Sequence, residues 1–210
     1  MWLLVAIIMM FTVMPLHEFA HGYVAYLLGD RTAKNSGRLT LNPFAHVNLI
    51  GFLMMLFLGF GWAEPVPINP RNFKKPKLGM ALTALAGPVM NFLAAFLGTI
   101  IYASMFIAGA NANTGNSSLI LSFFQYFIMI NISLGIFNLI PIYPLDGSKV
   151  LLAFLPPKFQ FMFYQNQRQM GYILIMVIYL ITRTGLYSLV VDSVSYGIVK
   201  LGFNVVSLFM

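Results

Sequence analysis

The 210-residue chain contains no cysteine. Disulfides, thiolate zinc sites, iron–sulfur clusters and cysteine nucleophiles are therefore excluded. Charge is scarce as well. Only 8% of residues are Asp, Glu, Lys or Arg, far below the roughly 25% of a soluble domain. There are five acids and three histidines in all, so a site built from carboxylates and imidazoles has few candidates. What the chain has in excess is apolar surface, at 60% of residues. A water-soluble fold of this length could not hide so much, and several runs reach the ~20 apolar residues that span a bilayer. The composition predicts an all-α polytopic membrane protein embedded in a lipid bilayer. The net charge of +7 does not call for nucleic acid, because basic residues in such a protein set its orientation. Met1-Trp2-Leu3-Leu4 lacks a basic n-region, so the N-terminal run reads as a retained span and not as a cleaved signal. No internal repeat, low-complexity tract or separate soluble domain is visible.

Apolar segments fall at residues 2–28, 49–60, 78–108 and 119–140, with two weaker ones near 170–182 and 186–209. The 29–42 and 61–77 loops are both basic, which places both on the cytoplasmic side. The N-terminus is then outside, and the 49–60 segment must enter and leave on one side. Its twelve residues cover only about 18 Å of a ~30 Å core, so a re-entrant segment is expected, in a bundle of about five transmembrane helices. An uncharged linker covers residues 111–118. Two extended-looking pieces, Arg38-Leu39-Thr40-Leu41 and Pro65-Val66-Pro67-Ile68, flank the re-entrant segment. They are expected to pair as a small β-hairpin or sheet at the cytoplasmic membrane edge, where an unpaired edge could take an extended peptide; ordinary surface loops are the other reading.

His17-Glu18-Phe19-Ala20-His21 is an HExxH pattern. On a helix it places both histidines on one face, where two imidazoles reach one ion. Glu18 beside them is suited to take a proton from a metal-bound water. His17 lies about 16 Å of helix from the inner end near Leu28, and ionisable groups at that depth require pairing, hydration or a metal. A packed, metal-free histidine pair bonded to Glu18 is the simpler structural alternative. A catalytic zinc takes three protein ligands plus water, so one more ligand is needed. Asp146, which follows the Pro141 and Pro144 break, is the leading candidate, with His46 and Asp192 as alternatives. Asp146 could instead cap the helix that begins at Gly147.

Five motifs in order bear a resemblance to the site-2 protease family of intramembrane zinc metalloproteases, in its short form without PDZ or CBS domains. They are His17-Glu18-Phe19-Ala20-His21; Gly37-Arg38-Leu39-Thr40-Leu41-Asn42-Pro43; Gly61-Trp62-Ala63-Glu64-Pro65-Val66-Pro67; Ala86-Gly87-Pro88-Val89-Met90-Asn91; and Asn138-Leu139-Ile140-Pro141-Ile142-Tyr143-Pro144-Leu145-Asp146-Gly147. The resemblance covers residues 1–155, taken as the metalloprotease core, and leaves 156–210 as accessory helices. It implies one Zn2+ per chain held by His17, His21 and Asp146, with Glu18 as the catalytic base. It implies that Asn138, and less directly Asn91, hold the substrate backbone. An interhelical hydrogen bond would serve equally for Asn138, and Asn91 could satisfy carbonyls freed by Pro88. Two positions depart from the family pattern: Glu64 stands where a lysine is usual, and Val47-Asn48-Leu49 follows His46 where Asp-Pro is usual.

The function expected is zinc-dependent endoproteolysis of transmembrane or juxtamembrane segments of other membrane proteins, in the cell membrane and on its cytoplasmic side. The alternative from another class is a non-catalytic membrane protein that keeps the fold to bind clients. The sequence leaves a homo-oligomer or a regulatory membrane partner open and points to no nucleic acid.

Overall fold

The computed structural model describes residue 5 and residues 7–58, 64–109 and 115–209. Residues 1–4, the Gly61-Trp62-Ala63 part of the third motif, and positions 111–114 of the expected linker lie outside the described residues. The described part is a helical bundle. Helix α1 (Met14–Leu27) continues a π-helical stretch, Met9–Val13. Then come α2 (Thr32–Asn35), α3 (Leu49–Leu58), α4 (Pro76–Ile107), α5 (Gly115–Asn138), α6 (Asp146–Phe154), α7 (Pro157–Gln165), α8 (Gln167–Thr184) and α9 (Leu186–Ser207).

Helix α4 is the hub and packs against α1, α5, α6 and α9. It can do so because most of its buried positions are glycine or alanine: Gly79, Ala81, Ala84, Gly87, Ala94, Ala95, Gly98 and Ala103. Between apolar helices in lipid, association comes from close van der Waals contact more than from water exclusion, and small residues permit that approach. At the crossings the fit leaves no spare room. A Cβ on Gly98 would come 3.0 Å from the Phe127 ring, and one on Gly202 would meet Thr99 at 2.5 Å. Ala95, Ile128, Ile132 and Val191 form the core where α4, α5 and α9 meet.

Three described helices are long and apolar enough to cross a membrane: Pro76–Ile107, Leu119–Asn138 within α5, and Leu186–Ser207. Helix α1 has only 14 residues after its π-helical start, and α8 carries Arg168 and Arg183, which lower its apolar content. Helix α3 has ten residues, about 15 Å, too short to cross a ~30 Å core. It packs on the π-helical stretch, where Met10 is covered by Phe52, Leu56 and Val47 and Phe11 meets the Phe52 ring edge-on at 6.3 Å. Asn48 starts α3 by accepting the Gly51 N–H through Oδ1 at 2.9 Å, the work of an N-cap.

Neither piece 38–41 nor piece 65–68 lies in a strand among the described residues. They are joined through a side chain instead. Arg38 donates to the Glu64 carboxylate at 2.9 Å and to the Glu64 carbonyl at 2.6 Å. The acid at position 64 therefore has a local partner.

Gly29, at φ +107°, ends α1 in a conformation a side chain would resist, and delivers Asp30 into the loop that follows. Asp30 is 1% exposed and fastens the 64–72 loop. Its Oδ2 accepts the Asn69 N–H at 2.7 Å, and its Oδ1 accepts Asn72 Nδ2 at 2.7 Å and the Thr32 N–H at 3.0 Å. Burial alone would raise the carboxyl's pKa, but these donors and the Thr32 hydroxyl outweigh it and hold it below the ordinary value. A depressed folded-state pKa means the stabilisation is complete above the unfolded value of about 3.9. It is then lost as pH falls through the folded pKa. Asp30→Asn is therefore expected to cost about 1.5–3 kcal/mol at pH 7. The variant should also lose less further stability than wild type below about pH 4. Thermal unfolding followed at pH 7 and at pH 3 checks both; equal acid sensitivity in the two proteins would remove Asp30 from this role.

Candidate active site

His17 and His21 sit one turn apart on α1, both buried, and α4 fixes the orientation of each ring. His17 Nδ1–H donates to Asn91 Oδ1 at 3.0 Å, and His21 Nδ1–H donates to the Thr83 carbonyl at 2.7 Å. With Nδ1 committed outward, each Nε2 faces the other across 3.0 Å. Asp146, the first residue of α6, brings Oδ2 to 3.1 Å from both. It caps nothing: Leu145 is the N-cap and no side chain caps α6.

Two imidazole lone pairs and a carboxylate oxygen in mutual contact, out of water, repel one another unless a proton or a metal ion lies among them. At zinc–ligand distances of about 2.0–2.1 Å, tetrahedral ligand atoms lie about 3.3 Å apart. The separations of 3.0–3.1 Å fall within a few tenths of that. The outward hydrogen bonds are those that ligating histidines use to fix their tautomer. Among the described residues, His17, His21 and Asp146 form the one group of this kind that could hold a metal. Gly87 on α4 faces the same point. A Cβ there would lie inside contact distance of His21 Nε2 and 2.6 Å from His17 Nε2. The α4 wall is therefore bare backbone where the ligands converge, and the donor set fits zinc.

Glu18 is buried beside this cluster, and its Oε2 accepts the Val66 N–H at 2.9 Å. The extended 64–69 segment thus holds the carboxylate in place. Lys149, one turn into α6, donates from Nζ to Asp146 Oδ1 at 2.9 Å. A cavity of about 840 Å³ opens in front of His17, Glu18, His21 and Asp146. Pro65, Val66 and Ile68 line one side, and one face of α5 from Tyr126 to Phe137 lines the other. Such a volume takes a ligand of drug or short-peptide size.

The other residues singled out from sequence lie in different places. Asn138, the last residue of α5, lines the cavity, with Nδ2 bonded to its own helix at the Leu134 carbonyl, 3.1 Å away. Asn91 is wholly buried behind His17 and is not among the lining residues. His46 is buried in the 43–48 loop, where Nε2 contacts the Thr40 carbonyl at 2.8 Å. Asp192 lies on an exposed face of α9. Neither His46 nor Asp192 joins the cluster. Gly87 and Lys149 were not singled out as site residues. The Gly87-Pro88 pair was a visible signal, though it read only as a helix irregularity.

Comparison with known proteins agrees with this chemistry. The model of peptidase family M50 matches residues 5–182. YwhC of Bacillus subtilis (strain 168), which carries a zinc metalloprotease name, is 40% identical over 188 residues, covering 90% of this chain and 84% of its own. Zinc metalloprotease MJ0392 of Methanocaldococcus jannaschii is 27% identical over 158 residues, 75% of this chain but 36% of its own. Rip2 of Mycolicibacterium smegmatis, also carrying a zinc metalloprotease name, is 30% identical over 168 residues, 78% of this chain and 61% of its own. No solved structure gives a significant match. Zinc is thus the cofactor such relatives imply, and the buried His–His–Asp cluster is ready to receive it. The chain belongs to peptidase family M50, the site-2 protease family of membrane metalloproteases.

Proposed function

We propose that the protein is an intramembrane endopeptidase that cuts transmembrane or juxtamembrane segments of other membrane proteins. The reading is carried by one observation: two Nε2 atoms and a carboxylate oxygen converge at 3.0–3.1 Å at the wall of a cavity lined by the apolar helix α5, with a second carboxylate, Glu18, beside them. His17, His21 and Asp146 hold the zinc, one per chain. When bound, the metal supplies a Lewis acid and a water that ionises near neutral pH. Glu18 accepts the attacking water's proton and returns it to the leaving amine, steadied by the Val66 N–H. Asn138 at the cavity rim holds the substrate backbone. Asn91 serves the reaction from behind, by orienting His17.

Five helices cross the bilayer in this reading: α1 with its π-helical start, α4, α5, α8 and α9. The N-terminus is outside, and α3 is re-entrant. The basic 29–42 and 61–77 loops support this orientation, which puts the active site toward the cytoplasm. The 38–41 and 65–68 pieces form the membrane-edge platform, residues 1–155 are the catalytic core, and 156–210 are accessory helices.

The test uses purified protein in lipid nanodiscs, mixed with tagged bacterial membrane proteins and analysed for new N-termini by mass spectrometry. New termini inside apolar spans, abolished by a zinc chelator and restored by zinc, are the expected result. No new termini despite one bound zinc per chain would favour the non-catalytic, client-binding alternative.

A further inference from the structure

Asp146 divides its two oxygens between two partners. Oδ2 is 3.1 Å from both histidine Nε2 atoms, and Oδ1 is 2.9 Å from Lys149 Nζ. The carboxylate is buried, at 7% side-chain exposure, while the lysine is 40% exposed. Lys149 therefore reaches in from a wetter region. Its stem also lines a smaller cavity of about 160 Å³ with Pro70, Lys77 and Tyr164. Lys149 is three residues beyond Asp146 on the same helix, so α6 carries both the metal-facing carboxylate and the group that holds its other oxygen.

We infer that Lys149 is a positioning residue for the metal centre: it occupies Asp146 Oδ1 and thereby leaves Oδ2 alone to face the histidines. The inference rests on the zinc site proposed above. Two opposed physical effects make it testable by sign. An ammonium that is merely close to a divalent cation repels it, so removing a bystander lysine would tighten zinc binding. A lysine that fixes the ligand's rotamer does the reverse, because without it the carboxylate must be ordered by the metal itself. Partners of this outer kind are worth 10–100-fold in metal affinity. The other donors near the cluster are already committed: Asn91 and Thr83 serve the histidine rings, and the Val66 N–H serves Glu18.

The experiment measures zinc affinity of the full chain in nanodiscs by competition with a chromophoric chelator, for wild type, Lys149→Met and Lys149→Arg. Methionine keeps an unbranched stem and has no N–H to donate. Visible spectra of the Co2+-loaded proteins are recorded in parallel. The expected result is a loss of about 10–100-fold in Lys149→Met, with affinity recovered in Lys149→Arg, whose guanidinium can still donate to Oδ1. The Co2+ bands should weaken in Lys149→Met as Oδ1 joins Oδ2 and the coordination number rises. The half-exposed position makes unfolding an unneeded explanation, and the thermal midpoint of the metal-free proteins verifies that. Zinc binding in Lys149→Met as tight as, or tighter than, wild type would overturn the inference. A wild-type chain that takes up no zinc would bring down the metal site itself, and the lysine's role with it.

Discussion

Glu18→Gln should keep its zinc and lose its cleavage. Glutamine has the size of glutamate, and its Oε1 can still accept the Val66 N–H that Glu18 accepts at 2.9 Å. What it cannot do is take a proton. Position, packing and the metal ligands stay as they are, and only the acid–base step is removed. General acid–base catalysis contributes about 10²–10⁴-fold, so turnover of a membrane reporter should fall by that much, with zinc per chain unchanged. Apart from Asp146, which faces the histidines, no other carboxylate lines the cavity among the described residues. No substitute base of that type is available. A Glu18→Gln variant that cleaves near the wild-type rate would move proton transfer to a different group and end the assignment.

The second large effect is expected at a residue with no functional group. Gly87→Val should abolish tight zinc binding. A Cβ at this position would already intrude on His21 Nε2 and lie 2.6 Å from His17 Nε2, and valine adds two methyl groups. Helix α4 cannot retreat to make room, because it is held by α1, α5, α6 and α9 together. The rings must turn instead, breaking their bonds to Asn91 and Thr83. Loss of an outer partner alone costs 10–100-fold in affinity. Displacing both ligands at once should cost more than about 100-fold, comparable to Asp146→Ala. Gly171 on α8 is the control, since nothing lies within 4 Å of a Cβ there, and Gly171→Val should bind zinc normally. Zinc bound at wild-type strength by Gly87→Val would mean that the ion is not held by His17 and His21 in this arrangement.

The sequence was most legible where chemistry is local. His17, Glu18 and His21 declare themselves because their spacing matches the helical repeat, and α1 is helical through all three. Asp146 is 125 residues from His21, and no spacing rule reaches that far. Scarcity of acids made it a leading candidate, and only the family motif singled it out. Asn91 was placed on the substrate by resemblance, yet its side chain turns to His17, 74 residues away. Neither Lys149 nor Asp30 sits in a spacing that marks a site. Both depend on what the fold brings alongside, which a single chain does not encode position by position. The extended pieces illustrate a subtler obstacle. Pro65-Val66-Pro67-Ile68 has the look of a strand, but two of its four residues have no N–H to give. The Val66 N–H is then spent on Glu18, so the segment serves a side chain where a ladder was expected. Span counting suffered from the helix geometry before the site, because the π-helical stretch Met9–Val13 leaves only 14 regular residues to α1.

The cavity walls differ in how firmly they are held, and this bears on inhibitor design. A zinc-binding fragment seated among His17, His21 and Asp146 has the 64–72 loop on one side. That loop is anchored through Glu18, Arg38 and Asp30 and will yield little to an added substituent. Across the cavity, Tyr126, Met129, Ile130, Ser133, Leu134 and Phe137 succeed one another on a single helical face. Methionine there adapts its shape to what it meets, and Ser133 adds a polar group that a hydrocarbon span would lack. Affinity should be gained by extending fragments toward α5, where these side chains, and not the metal ligands, would set selectivity.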